Sequence, residues 1–252
     1  MRPAWAITVA TVRQVLTLRR AIVFGLAEAS PALVYLLVAN TLSDEAALDR
    51  LGFMILIVYF PLLVPIVSLI VASGVLGAER RDGTLSFLVL RPIPRWVIAA
   101  AKAAAAVIVA GGLNAFGALA LTVSYAVETG NWNLVVPLVV GGVLASIIYA
   151  AIFVPLGFFT DRAVLVGLLF VFVFENGIVT ALRGLSALSP WRTGFSAFIA
   201  LAPPDLLTGE DLAETPVELI SLSTAALWTA LAALVSVALV ALVLRNRDLT
   251  SE

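Results

Sequence analysis

With neither histidine nor cysteine among its 252 residues, the chain can build no imidazole base, thiolate nucleophile, disulfide or His-ligated metal centre. Its charged chemistry rests on 15 basic and 16 acidic side chains. Two carboxylates, Glu28 and Glu175, fall inside long apolar stretches. An unpaired charge there costs a few kcal/mol on insertion scales, so both must face protein or water rather than hydrocarbon. With Asn176 they could line a polar path, Glu175 and Asn176 as the deeper element and Glu28, beside Pro31, nearer one mouth. Carboxyls hydrogen-bonded between helices are the alternative. Asn114, after Gly111-Gly112, and Ser73-Gly74 suit close helix packing, where small residues let backbones approach and polar ones bridge them.

Several chemistries drop out at once. A Ser–His pair is impossible, and no aspartate lies in an apolar stretch to form an aspartyl dyad. No G-x-x-x-x-G-K-[ST] run is present to cradle nucleotide phosphates. The expectation is therefore a chain that is not itself an enzyme and carries no cofactor or metal of its own. A net charge of -1 gives no basic signature for nucleic acid.

The densest polar pattern is GAERRDGTLSFLVLRPIPRWVIAAAK, Gly77 to Lys102. Gly83 permits a sharp turn, Thr84 can cap a helix, Leu85, Leu88 and Val89 share one face, and Arg91-Pro92 should end it. The pattern predicts a short helix with an apolar face and a charged rim. Such a helix can dock into a groove of a partner protein, or lie among lipid headgroups.

The order Glu79, Gly83-Thr84-Leu85, Leu88, Pro92, Arg95, Lys102 resembles the loop between the second and third spans of type-two ABC exporter permeases. Over the rest of the chain the resemblance is one of outline and hydropathy. It implies that Glu79, Gly83, Thr84, Leu88, Pro92 and Arg95 contact a separate ATPase subunit, which would hold the ATP and Mg. It also implies a second permease half, expected as a homodimer.

The elements that must position these residues follow from composition. At 62% hydrophobic and 12% charged, the chain has too few water-facing residues for a soluble domain. The apolar excess is segmented into runs near the length of about 20 residues that a helical crossing needs. The reading is an all-α integral membrane protein, one transmembrane domain over 1–252, with six spans at about 21–40, 53–76, 97–127, 134–159, 163–182 and 219–244. Residues 1–20 are expected to form an interfacial helix with Trp5, Val9, Val12 and Leu16 on its apolar stripe. The cytoplasmic coupling loop covers 77–96, and 183–218 is an external segment whose apolar run, about 193–202, is too short to span and lies on the bilayer or re-enters it. Trp191 and Arg192 suit the headgroup level there.

With both termini cytoplasmic, all of the 15 Arg and Lys residues except Arg50, Arg183 and Arg192 face inward, as the positive-inside rule requires. Asp161-Arg162 then forms a tight cytoplasmic turn. The expected setting is the plasma (inner) membrane of a prokaryote, and the expected function a permease subunit of an ATP-driven exporter. A secondary ion- or proton-coupled transporter using Glu28 and Glu175 is a competing expectation, as is a membrane scaffold or receptor.

Overall fold

The computed structural model describes residues 3–39, 47–83, 93–179, 181–182, 189–203 and 219–246, and among these there is no strand. Among the described residues eight helical elements follow one another: α1 Pro3–Val15, α2 Leu18–Ala39, α3 Ala47–Arg81, α4 Arg95–Thr129, α5 Val135–Phe159, α6 Ala163–Val179, α7 Pro190–Leu201 and α8 Leu222–Asn246. Five of them, α2, α3, α4, α5 and α8, are long and apolar enough to cross a membrane, which is compatible with a multi-pass membrane protein. α6 is apolar but shorter.

The helix ends follow local chemistry. α4 begins after Pro94, runs through a string of alanines, the best helix formers, and stops at Gly130, whose φ of 75° only glycine adopts cheaply. α3 stops in the same way. The Gly83 N–H bonds the Arg80 carbonyl at 3.2 Å with φ 68°, the sharp turn expected of that glycine.

Inside α3, Pro61 has no N–H to give, and the turns from Met54 to Leu63 widen to π-helix, with the Val64 N–H reaching back five residues to the Tyr59 carbonyl. A second wide stretch runs from Phe170 to Val179 in α6. The Asn176 amide ties the two, donating to the carbonyls of Pro61 (3.2 Å) and Val171 (2.9 Å).

α5 is the centre of the bundle, packed against α3, α4, α7 and α8. A Cβ on Gly157 would strike the Ser73 backbone, and one on Gly77 would press on the Gly157 carbonyl. Ser73 and Gly77, one turn apart, thus let α3 and α5 cross backbone to backbone. α7 meets α5 likewise at Gly141 and Gly194. About half of the apolar windows of α3, α4 and α5 is buried, against 22% for α2 and α8, which form the outer faces.

The chain's turns define two ends. Arg81, Arg95, Phe159, Ala163 and α1 lie at the loop end; Ala47, Thr129, Val135, α7 and Leu222 lie at the far end. Exposed tryptophans mark both, Trp5 and Trp96 at the loop end, Trp132 and Trp228 at the far end, as in the aromatic belts of membrane proteins.

Candidate functional site

The loop singled out by its spacing leaves α3 after Gly83 and rejoins α4 near Arg95. Thr84, Leu88 and Pro92 lie outside the described residues. The base of the loop is described, and it is clamped. Lys102, 1% exposed in the second turn of α4, donates to the Glu79 carboxylate near the end of α3 and to Thr11 Oγ1 of α1 at 2.9 Å. Thr8 Oγ1 bonds the Ala101 carbonyl at 3.2 Å. Three helices that are remote in sequence therefore meet at one buried ion pair.

Beside it, Arg80 donates to the Phe158 carbonyl and pairs with Asp161 at 2.8 Å, which fastens the end of α3 to the α5–α6 turn. Asp161 thus reaches across to α3 rather than pairing with Arg162. Arg95 opens α4, half-buried, at the other root of the loop.

Midway along the bundle is a buried polar group. The Asn114 amide donates to Ser146 Oγ (2.8 Å) and Ser68 Oγ (3.2 Å), and the Tyr59 hydroxyl donates to the Asn114 carbonyl (2.8 Å). Gly142 leaves room for that hydroxyl. Glu28, fully buried on α2, turns its carboxyl onto Gly117 of α4, one turn from Asn114, where a Cβ would overlap it. Both Glu28 oxygens and Asn114 Oδ1 lack a hydrogen-bond partner in the structure. The unsatisfied atoms here are all acceptors, an arrangement that suits a proton, a water or a small cation.

Glu175 has a different environment. It accepts from the Tyr149 hydroxyl (2.6 Å), Ser189 Oγ (2.8 Å) and the Trp191 N–H (2.9 Å). The last is a free amide in the first turn of α7, so the carboxylate caps that helix and sits at the positive end of its dipole. Asn176, next in sequence, points instead to the two π-helical stretches. The three residues expected along a path are thus split between two places, and Glu28 shares no hydrogen bond with the other two.

At the far end, the buried Arg50 of α3 pairs with Glu128 of α4, and the Tyr35 hydroxyl of α2 donates to the same carboxylate. The Arg50 guanidinium lies over the Tyr35 ring, 5.4 Å from its centroid. α4 therefore carries Lys102, Asn114 and Glu128, a polar anchor at each end and one between.

The structure adds a detail at α1, and at α7 it departs from the sequence reading. The buried side of α1 is Thr8, Thr11 and Val15, whereas Trp5 of the expected apolar stripe is 59% exposed. In a bilayer the apolar side can face lipid, so the hydroxyls turn inward to Lys102 and Ala101. Trp191, expected among headgroups, is 5% exposed and stacked on Phe195 at 4.9 Å, because Glu175 draws the start of α7 into the bundle. The Glu79–Lys102, Arg50–Glu128 and Asn114–Ser146 pairings were not read from sequence. The available signal was each polar residue's isolation among apolar neighbours.

Over residues 7–250 the chain matches a family model described as protein of unknown function (DUF2705). No curated protein matches it.

Proposed function

The chain belongs to the DUF2705 family of proteins of unknown function, and from that premise we propose that it is the permease subunit of an ATP-driven exporter. The observation that carries this reading is the Glu79–Lys102–Thr11 clamp. It joins both roots of the loop and α1. A push on the loop would then move α1, α3 and α4 as one body, as coupling to an external motor requires. The spacing from Glu79 to Lys102 that resembles the exporter permeases supplies the same two residues as the clamp.

In this reading α6 adds a crossing, the fifth of six along the chain, α7 is the re-entrant helix, and the loop end faces the cytoplasm of a prokaryotic cell, with both termini there. A second copy completes the path, and a separate ATPase binds ATP and Mg and docks on residues 77–96. The chain has no P-loop, in keeping with hydrolysis on that other subunit.

Mild-detergent affinity purification of the native complex, followed by mass spectrometry, tests the proposal. Recovery of a P-loop ATPase at about equal stoichiometry is expected, with Gly83→Pro and Leu88→Asp abolishing ATP-dependent transport in proteoliposomes while the protein still inserts. An intact complex with no ATPase would overturn the reading.

Glu28 favours a second reading, a proton- or ion-coupled transporter, because its buried carboxyl, set against Gly117, has no hydrogen-bond partner. That account predicts uptake or efflux driven by an ion gradient without nucleotide and lost in Glu28→Gln. Glu79 and Lys102 have no part in it.

A further inference from the structure

At the loop end, a cavity of about 380 Å³ opens between the start of α2, one stripe of α3 and the start of α6. Its two ends differ in chemistry. The mouth carries Arg20 of α2 and Arg81 of α3, both exposed and neither with an acidic partner among the described residues. Asp161, also at the mouth, is already held by Arg80 at 2.8 Å. Deeper in, the lining is Phe24, Ile70 and Val164, and Gly74 forms a gap in the floor, since a Cβ there would meet nothing within 4 Å.

Ile70, Gly74 and Arg81 lie along one face of α3, so the slot follows that helix for about 16 Å at 1.5 Å per residue. A charged mouth leading into an apolar slot of that length matches an amphiphile lying parallel to the helices. Guanidiniums recognise phosphate oxygens by charge-assisted hydrogen bonds, and two of them at one mouth select a phosphodiester over a headgroup that carries no phosphate. Asp82, at the same mouth, matches an amine carried beside that phosphate.

We propose that this slot binds one phospholipid with an amine-bearing headgroup, its phosphodiester between Arg20 and Arg81 and one acyl chain along Phe24, Ile70 and Val164. The lipid would lie between the start of α2 and the clamped helices and would move with them. The proposal holds whether or not an ATPase drives the chain.

The test is native mass spectrometry of the full chain released from detergent, with bound lipid quantified after extraction. One phospholipid per chain is expected, enriched in amine-bearing headgroups over the host membrane. It should fall at least tenfold in Arg20→Ala/Arg81→Ala, and equally in Gly74→Leu, whose Cβ would start in open space and whose side chain would fill the slot. Both variants should elute and fold as the parent does by size exclusion and circular dichroism, and if one does not, the other decides. Unchanged lipid in a folded variant would overturn the proposal, as would lipid with the headgroup composition of the membrane. So would displacement of the lipid by millimolar inorganic phosphate, which would mark a simple anion site.

Discussion

Lys102 is 1% exposed, and its ammonium is surrounded by helix on all sides, with Glu79 and Thr11 as its acceptors. A charge so placed is tolerated only while its partner remains, and removing one member of a buried pair typically costs about 3–5 kcal/mol. Lys102→Ala should therefore lower the thermal unfolding temperature of the purified protein strongly. Lys102→Met combined with Glu79→Leu should recover much of the loss, because an apolar pair leaves no orphan charge. A double variant no better than the single one would mean that the ion pair is not what holds the loop base. Asp161, whose side chain is 63% exposed, is the contrast: Asp161→Ala, which breaks its pair with Arg80, should cost about 0.2–1 kcal/mol in the same measurement. Glu79 and Lys102 stand out in the sequence only as members of one spaced polar pattern. Their contact was not legible, because 23 residues separate them and only the turn back from α3 to α4 brings them together. Thr8 and Thr11 were legible still less, since a helix whose outer face meets lipid reverses the usual meaning of an apolar stripe.

The helices packed around α5 are set by where side chains are absent. Gly157 meets the Ser73 backbone, which cannot move aside as a flexible side chain does, whereas Gly74, one residue further along α3, faces open space. Gly157→Ala should force α3 and α5 apart and lower stability, by about 1–3 kcal/mol for an overpacked contact, while Gly74→Ala should be neutral or stabilising through better helix propensity. Equal effects on unfolding temperature would show that the crossing is looser than the backbone contact implies. Five of the apolar elements were legible from length and hydropathy alone, since a crossing helix must be long, apolar and poor in charge. The π-helical turns at Met54–Leu63 and Phe170–Val179 were not, because a helix that is apolar all round has no periodic pattern to reveal a widened turn. The burial of α7 was hidden for a related reason. Its position depends on Glu175, which approaches from another helix to satisfy the Trp191 N–H.

For the whole molecule, the side on which each end lies turns on α6. At 17 residues it spans about 25 Å, short of a hydrocarbon core of about 30 Å. Its wide turns rise less per residue and shorten it further. What compensates is α7, which returns into the bundle beside the end of α6 and is fastened there through Glu175, Tyr149 and Ser189. Protein then flanks the end of α6 on its inner side, and a short helix can still complete the crossing. Because the chain has no cysteine, single Asn131→Cys, Arg162→Cys and Ser221→Cys variants report sidedness without a background. With six crossings, a membrane-impermeant maleimide should label Asn131→Cys and Ser221→Cys from one side of sealed vesicles and Arg162→Cys only from the other. If Ser221→Cys labels together with Arg162→Cys, α6 and α7 form a hairpin that enters and leaves by the same face. α8 would then run in the opposite sense, and the loop and the C-terminal basic residues would lie on opposite sides, which would break both the positive-inside ordering and the exporter reading built on it.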